Sequence, residues 1–320
     1  MKILVTGGAG FIGHNVVRFL EQQGHRCYVV DTCTDYGFIS KDELQYLKKE
    51  RRQRFRASVH SVDIIDKIKI NTIFMSFNPD IVIHLASFPR QKVVNADPSL
   101  ASEVMSTGLI NLLESSKLHK IKKFVYISSS MVYGDFTDDV SENAICRPQG
   151  QYGIMKLAGE WLVRDYTRQG YFDHVIIRPS AVYGEWDVED RVVSKFMLTA
   201  MRNGILKVNG ASESLDFTYV EDAATGIVQA ALSESAVNNT YNITKSHSYT
   251  LLDAAELAVK ITGKGTIEVR DKDKDFPSRG ALNISAARRD FGYNPLVDVE
   301  EGFQRYYNWF KSSEFWQKKL

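Results

Sequence analysis

The turn Gly7-Gly8-Ala9-Gly10-Phe11-Ile12-Gly13 restricts this chain more than any other stretch, because of what flanks it. Before it lies a short apolar run, Lys2 to Thr6, of the kind that forms a buried strand. After it an amphipathic helical pattern runs to about Gln23. The glycines fit both Gly-x-x-Gly-x-x-Gly and Gly-x-Gly-x-x-Gly. A side chain in so tight a turn would keep the backbone away from a pyrophosphate, whereas the amides of the following helix face that anion. The next strand, Arg26 to Val30, ends in Asp31, eighteen residues past Gly13. An acid there accepts both hydroxyls of an adenosine ribose and repels a 2′-phosphate. No arginine follows within the next few residues, so the pattern predicts NAD rather than NADP.

The same alternation continues. A charged helical stretch, Lys41 to Arg56, precedes a strand expected over Ala57 to Val62, and Asp63-Ile64 follow where a carboxylate can take the adenine amino group. Helical periodicity to about Phe77 leads into the apolar strand Asp80 to Leu85, then Ala86-Ser87, small enough for a cofactor to lie across the strand end. A long helix is expected over Ala96 to Ser116, then strands at Lys123 to Ile127 and Val175 to Ile177, the last running into Arg178-Pro179. Strands alternating with helices predict an α/β fold, a Rossmann-type doubly wound parallel sheet that binds ligands at the carboxyl ends of its strands. Beyond it, short strands at Leu206 to Val208, Phe217 to Val220, Thr240 to Ile243 and Ile267 to Arg270 alternate with helices at Ala223 to Leu232, Leu251 to Ile261 and Val299 to Phe310. They read as a smaller mixed α/β C-terminal substrate lobe. The expected division is 1–178 for cofactor and catalysis and 179–320 for substrate, with the chain crossing between lobes.

Tyr152 and Lys156 stand four apart, one helical turn on one face. A free phenol has a pKa of about 10, so a useful base at neutral pH needs a cation nearby to favour the phenolate. Upstream, Ser128-Ser129-Ser130 close the strand that ends at Ile127.

These residues resemble the extended short-chain dehydrogenase/reductase family in its nucleotide-sugar epimerase/dehydratase branch. Nearly the whole chain carries the likeness. Its order and spacing hold in Thr6-Gly7-x-x-Gly10-x-x-Gly13, Asp31, Asp63, His84-Leu85-Ala86, Ser128-Ser129-Ser130-x-Val132-Tyr133-Gly134, Tyr152-x-x-x-Lys156, Arg178-Pro179-x-x-Val182-Tyr183-Gly184 and Asp216-Phe217-x-Tyr219-Val220-x-Asp222. The resemblance implies Tyr152 as general acid/base, Lys156 as the residue that lowers its pKa and binds the nicotinamide ribose, and Ser129 as a hydrogen-bond donor to the reacting sugar oxygen. NAD would contact Gly7, Gly10, Phe11, Ile12, Gly13, Asp31, Asp63, Ile64, Leu85, Ala86, Ser87, Tyr152, Lys156 and Pro179. The nucleotide-diphosphate sugar would contact Ser129, Ser130, Met131, Tyr152, Arg191 and Arg279. Dehydratases of the branch carry an Asp-Glu pair after the catalytic hydroxyl residue; Ser130 and Met131 stand there, which favours C4 epimerisation. The chain departs from the branch at Met105, where Asn is common, and at Leu215, where an Arg often meets the diphosphate. A homodimer through helices near Ala96–Ser116 and Gln151–Arg168 is also implied.

Composition narrows the rest. Forty basic and thirty-nine acidic residues leave a net charge of +1, which points to neither nucleic acid nor a membrane surface. The basic run Lys48-Lys49-Glu50-Arg51-Arg52-Gln53-Arg54 reads as a solvated helix face. Cys27, Cys33 and Cys146 form no CxxC, and the seven histidines show no ligand spacing, so no metal is expected. His84 reads as a hydrogen-bonded core residue. Without a signal-type leader or an apolar run of about 18 residues, a cytoplasmic protein is expected.

Overall fold

The computed structural model describes residues 1–272 and 277–320. Apolar runs form parallel strands β1 (Lys2–Thr6), β2 (Arg26–Val30), β3 (Val59–His60), β4 (Ile81–His84), β5 (Lys123–Ile127) and β6 (Asp173–Pro179). Together with Asn239–Ile243 they build one seven-stranded sheet, in which that last strand is followed by β6, β5, β4, β1, β2 and β3. The order reverses between β1 and β4, which opens a crevice at the strand ends. Alternation divides the strand side chains between two cores. Ile3, Val5, Ile81 and Ile83 pack with Val16, Val17 and Leu20 of helix Gly13–Gln22 and with Ala224, Ile227 and Val228 of helix Val220–Leu232. Leu4, Val82 and Phe124 face helices Lys67–Phe77, Leu109–Leu118 and Gly150–Arg168 on the other side.

A second lobe has its own core of Phe196, Phe217, Phe303, Tyr306, Phe310 and Trp316. Ile205–Asn209 pairs in parallel with Thr266–Arg270, and Ser214–Asp216 pairs antiparallel with Ser248–Thr250. Helices Val192–Met201, Leu251–Thr262 and Val299–Ser312 cover them. Among the described residues no helix is long and apolar enough to cross a membrane.

Four expectations are corrected. The helix expected over Ala96 to Ser116 is broken into Gln91–Ala96, Pro98–Ser102, a π-helical turn Glu103–Gly108 and Leu109–Leu118. Pro98 lacks the amide that would continue the first helix, and Asp97 instead caps the second by accepting from the Leu100 amide at 3.0 Å. The strand expected over Ala57 to Val62 shrinks to β3, because the Ala57 amide goes to Glu21 Oε1 at 2.6 Å. Asn239–Ile243 joins the main sheet rather than the small lobe. The basic run is a solvated face only in part: Lys49, Arg52 and Gln53 are exposed, but Arg51 is 8% exposed, and the Arg54 guanidinium lies 3.6 Å from the Trp186 ring centroid.

Helix Gly150–Arg168 is held by a buried ion pair. Glu160 accepts from Arg178 Nε at 2.9 Å and Nη2 at 2.7 Å, and from the Ser128 hydroxyl at 2.6 Å. Arg178 Nη1 also donates to the Tyr133 hydroxyl, which donates to Asn242 Oδ1 at 2.8 Å. Removing one partner of a buried pair leaves the other charge uncompensated. Glu160→Ala is therefore expected to lower the unfolding free energy by about 3–5 kcal/mol, read from urea denaturation. A loss within the range of a surface substitution would contradict the assignment.

Candidate active site

A cleft of about 900 Å³ opens where the strand ends of the sheet meet the second lobe. Its floor is the glycine turn. A Cβ on Gly13 would lie 2.1 Å from the Gly7 carbonyl oxygen, and one on Gly7, which has φ +73°, would lie 2.6 Å from the Ala86 amide nitrogen. The turn thus folds onto itself and against the end of β4 as only glycine allows. Asp31 Oδ2 accepts from the Ala9 amide at 3.0 Å and Oδ1 from the Cys33 amide at 2.7 Å. Each oxygen has lone pairs to spare for a ribose hydroxyl. Asp63 Oδ1 accepts from the Ile65 amide at 3.1 Å. Phe11, Ile12, Ile64, Leu85, Ala86, Ser87 and Pro179 line the same cleft. An anion-facing turn, two strand-end carboxylates and a small-residue floor fit a bound NAD.

The catalytic candidates meet at the centre. Gln91 Oε1 accepts from the Tyr152 amide at 3.1 Å and so anchors the first turn of helix Gly150–Arg168. Lys156 Nζ donates to the Ile127 carbonyl at 2.7 Å and stands 5.9 Å from the Tyr152 ring centroid. Ser129, extended at the end of β5, accepts from the Met131 amide at 3.2 Å. Ser130 donates to the Ser180 hydroxyl at 3.1 Å, and Met131 is buried. Burial raises the Tyr152 phenol above its ordinary value, with Arg191 and then Ser129 pulling it back. Burial pushes Lys156 down to about 7, against the pull of Glu160. His84 sits behind it as a core residue, 2.7 Å from the Thr6 hydroxyl, and burial lowers it to about 3.

The opposite wall is cationic. Arg191 and Arg279 both line it. Among the described residues Arg279 Nε is buried without a partner, and burial lowers the guanidinium to about 10, with Glu213 raising it and Arg191 lowering it. Arg90 is committed elsewhere, since it donates to the carbonyl and carboxylate of Asp190. Leu215 lines the cleft as an apolar residue.

Three residues escape sequence reasoning. Arg51 donates from Nε at 3.0 Å and Nη2 at 2.6 Å to the Trp186 carbonyl, 135 residues away. Its place four residues after Leu47, on the buried face of helix Lys41–Arg52, is the one local signal for it. Asp187 is 2% exposed with Oδ2 unpartnered among the described residues, and burial raises it against Arg191, Arg51 and Arg90. Gln91 carries no signal at all, because its partner is the helix 61 residues on.

Residues 3–244 match the model of the NAD-dependent epimerase/dehydratase family. The chain is 29% identical to an uncharacterised UDP-glucose epimerase of Bacillus subtilis, covering 94% of this chain and 95% of that protein. It is 30% identical to a dTDP-glucose 4,6-dehydratase of Neisseria gonorrhoeae, covering 97% and 95%. Among solved structures it resembles the UDP-glucuronic acid 4-epimerase of Bacillus cereus in complex with UDP-glucuronic acid and NAD. That likeness has a TM-score of 0.88 at 28% identity, over 98% of this chain and 99% of the other. The UDP-glucose 4-epimerase of Thermotoga maritima with UDP-glucose gives 0.86 at 26%, with the same coverage.

The depressed lysine has a measurable sign. Folded, Lys156 releases its proton near 7; unfolded, it does so near the ordinary value of about 10.4. Between those values the unfolded chain holds more protons, so this residue makes unfolding free energy rise with pH. Urea midpoints of the cofactor-free protein at pH 7 and 9 are expected to rise more steeply for wild type than for Lys156→Met. A difference between the two that is independent of pH would contradict it.

Proposed function

The chain belongs to the NAD-dependent epimerase/dehydratase family, and from that premise we propose that it inverts C4 of a nucleotide-diphosphate hexose. The observation that carries the reading is Ser129, Tyr152 and Lys156 lining one cleft, with no carboxylate directly after Ser129. The glycine turn holds the pyrophosphate of NAD, Asp31 the adenosine ribose, Asp63 and Ile64 the adenine, and Lys156 the nicotinamide ribose. Bound NAD supplies reversible hydride acceptance beside the sugar carbon. Ser129 donates a hydrogen bond to the C4 oxygen. Tyr152 takes the hydroxyl proton of that oxygen as C4 is oxidised, and gives it back after the sugar has turned over. The phenolate this needs is favoured by the positive charge that arrives with the cofactor, since burial alone holds the phenol protonated. Arg279, whose buried Nε has no partner among the described residues, holds the diphosphate as a pivot while the sugar turns.

The relatives include 4,6-dehydratases. Eliminating water from the hexose needs an acid at the leaving oxygen. Here the two positions after Ser129 supply a hydroxyl bonded to Ser180 and a thioether. Neither delivers a proton readily, which supports epimerisation. Residues 1–178 carry cofactor and catalysis in this reading, and residues 179–320 supply most of the substrate wall.

We also propose a homodimer. Ile154 and Trp161, seven apart on helix Gly150–Arg168, are 52% and 65% exposed, and Ile110 on the adjacent helix Leu109–Leu118 is 39% exposed. An apolar strip of this kind is suited to pairing with its own copy across a two-fold axis. Light scattering on a sizing column is expected to give a dimer for wild type and a monomer for Trp161→Glu. A monomeric wild type refutes the assembly.

Tyr152→Phe keeps the ring and removes the proton carrier. Turnover of UDP- and dTDP-hexoses is expected to fall about 10²–10⁴-fold, with NAD content unchanged. Full activity in this variant would remove Tyr152 from the chemistry.

A further inference from the structure

We propose that Asp190 is a positioning residue for Tyr152. By binding Arg90 across the cleft it fixes Gln91, and through Gln91 it fixes the start of the helix that carries the phenol. The proposal rests on the reading that Tyr152 is the acid/base of the reaction.

Helix Gly150–Arg168 begins without a cap of its own: among the described residues its N-cap, Gln149, makes no side-chain cap bond. The first amides of a helix have no partner within it. The Tyr152 amide, third in the helix, finds its acceptor in Gln91 Oε1 at 3.1 Å. Gln91 is 5% exposed, and its Nε2 donates to Asn95 Oδ1 one turn on, which holds Oε1 toward Tyr152. A Cβ on Gly150 would lie 2.5 Å from that Oε1, so the two segments are in direct contact. Val93 and Val94, next along, pack with Phe88 and Met105 in the apolar cluster against which Tyr152 and Met155 lie. The helix of the phenol thus takes its cap and part of its packing from the stretch after β4.

What holds that stretch lies on the other lobe. Helix Gln91–Ala96 has six residues, too few to be stable by hydrogen bonding along its own chain. Arg90, at its N-cap, reaches over the cleft: Nη1 donates to the Asp190 carbonyl at 2.9 Å and Nη2 to the Asp190 carboxylate. Lys92 Nζ meets the same carboxylate at 3.0 Å, and Lys195 Nζ, from the substrate lobe, at 2.7 Å. The Asp190 side chain is 10% exposed, and the Phe38 ring covers the cluster, its centroid 5.6 Å from the Arg90 guanidinium carbon and 4.8 Å from Lys92 Nζ. The backbone beside Asp190 is fixed in turn, since Glu43 Oε1 accepts from the Glu189 amide at 2.8 Å. Charge-assisted bonds are the stronger kind. One carboxylate also offsets the repulsion among three cations, so its loss drives Arg90 and Lys92 away from the substrate lobe. Loosening there reaches Tyr152 through a single residue, Gln91.

The test uses the NAD-loaded protein as wild type, Asp190→Ala, Gln91→Leu and the double variant. Hydrogen exchange of the peptide bearing Tyr152 is followed by mass spectrometry, and kcat and KM are measured on a nucleotide sugar that the wild type turns over. Asp190→Ala is expected to speed exchange at the start of helix Gly150–Arg168 by about tenfold or more. Exchange in β1 and β4 and the NAD content stay as in wild type, which shows that the fold is kept. The kcat is expected to fall about 10–100-fold, the effect of a misplacement on the order of an ångström, with KM within about threefold of wild type. Gln91→Leu is expected to give a similar loss and the double variant no further loss, because the two residues act in series. Losses that multiply in the double variant overturn the proposal. So does a raised KM with unchanged kcat, which would make the cluster a gate for substrate, and so does unchanged exchange at Tyr152. The two readings fail separately. Faster exchange in Asp190→Ala with no C4 epimer from the wild type sinks the reaction but not the positioning, and C4 inversion by Asp190→Ala at the wild-type kcat does the reverse.

Discussion

The buried pair between Glu160 and Arg178 sets the register on which the rest of the site depends. Tyr152, Lys156 and Glu160 follow one another at four-residue spacing, so a single helix face carries the phenol, the ammonium and the carboxylate. Glu160 is bonded to Arg178 at the end of β6 and to Ser128 just past the end of β5. Those bonds fix the helix against the two strand ends that also present Ser129 and Pro179. A slip of one residue would turn Tyr152 away from the cleft and leave a buried arginine unpaired. The same carboxylate is the charge that opposes the loss of the Lys156 proton. Fold and acid–base chemistry therefore share one residue.

A second set of contacts closes the cleft from the side. Trp186 sits at φ +66°, its carbonyl taken by Arg51, its ring covered by Arg54 and met edge-on by His14. His14 in turn is bonded to the Gly10 carbonyl at 3.0 Å. The loop that delivers Asp187 and Arg191 is thus held by the glycine turn and by helix Lys41–Arg52. Cofactor floor and substrate wall are linked through a few side chains in direct contact.

Legibility in the sequence followed the distance over which each feature is determined. The glycine turn, Asp31, the Tyr-x-x-x-Lys spacing and the alternating strands are local patterns, and each lies where its pattern predicts. The break at Asp97-Pro98 was also written locally, in a proline at a first helical position, yet the apolar periodicity on either side concealed it. Arg51 was hidden for a different reason. A charged run reads as solvated unless a partner far along the chain, here the Trp186 carbonyl, takes the hydrogen bonds. Asn239–Ile243 had too few apolar residues to announce a place in the main sheet, because an edge strand is stabilised by one neighbour, β6. The raised phenol of Tyr152 depends on burial and on charges from other elements, which no spacing encodes.

The measurement that tests the account most directly is turnover of nucleotide-sugar substrates by the NAD-loaded protein in D₂O, followed by proton NMR. Inversion through transient oxidation returns the same hydrogen to C4, so a mixture of C4 epimers with no deuterium at any sugar carbon is predicted. Deuterium at C5 or C6, or a keto sugar in place of the epimer, would contradict it.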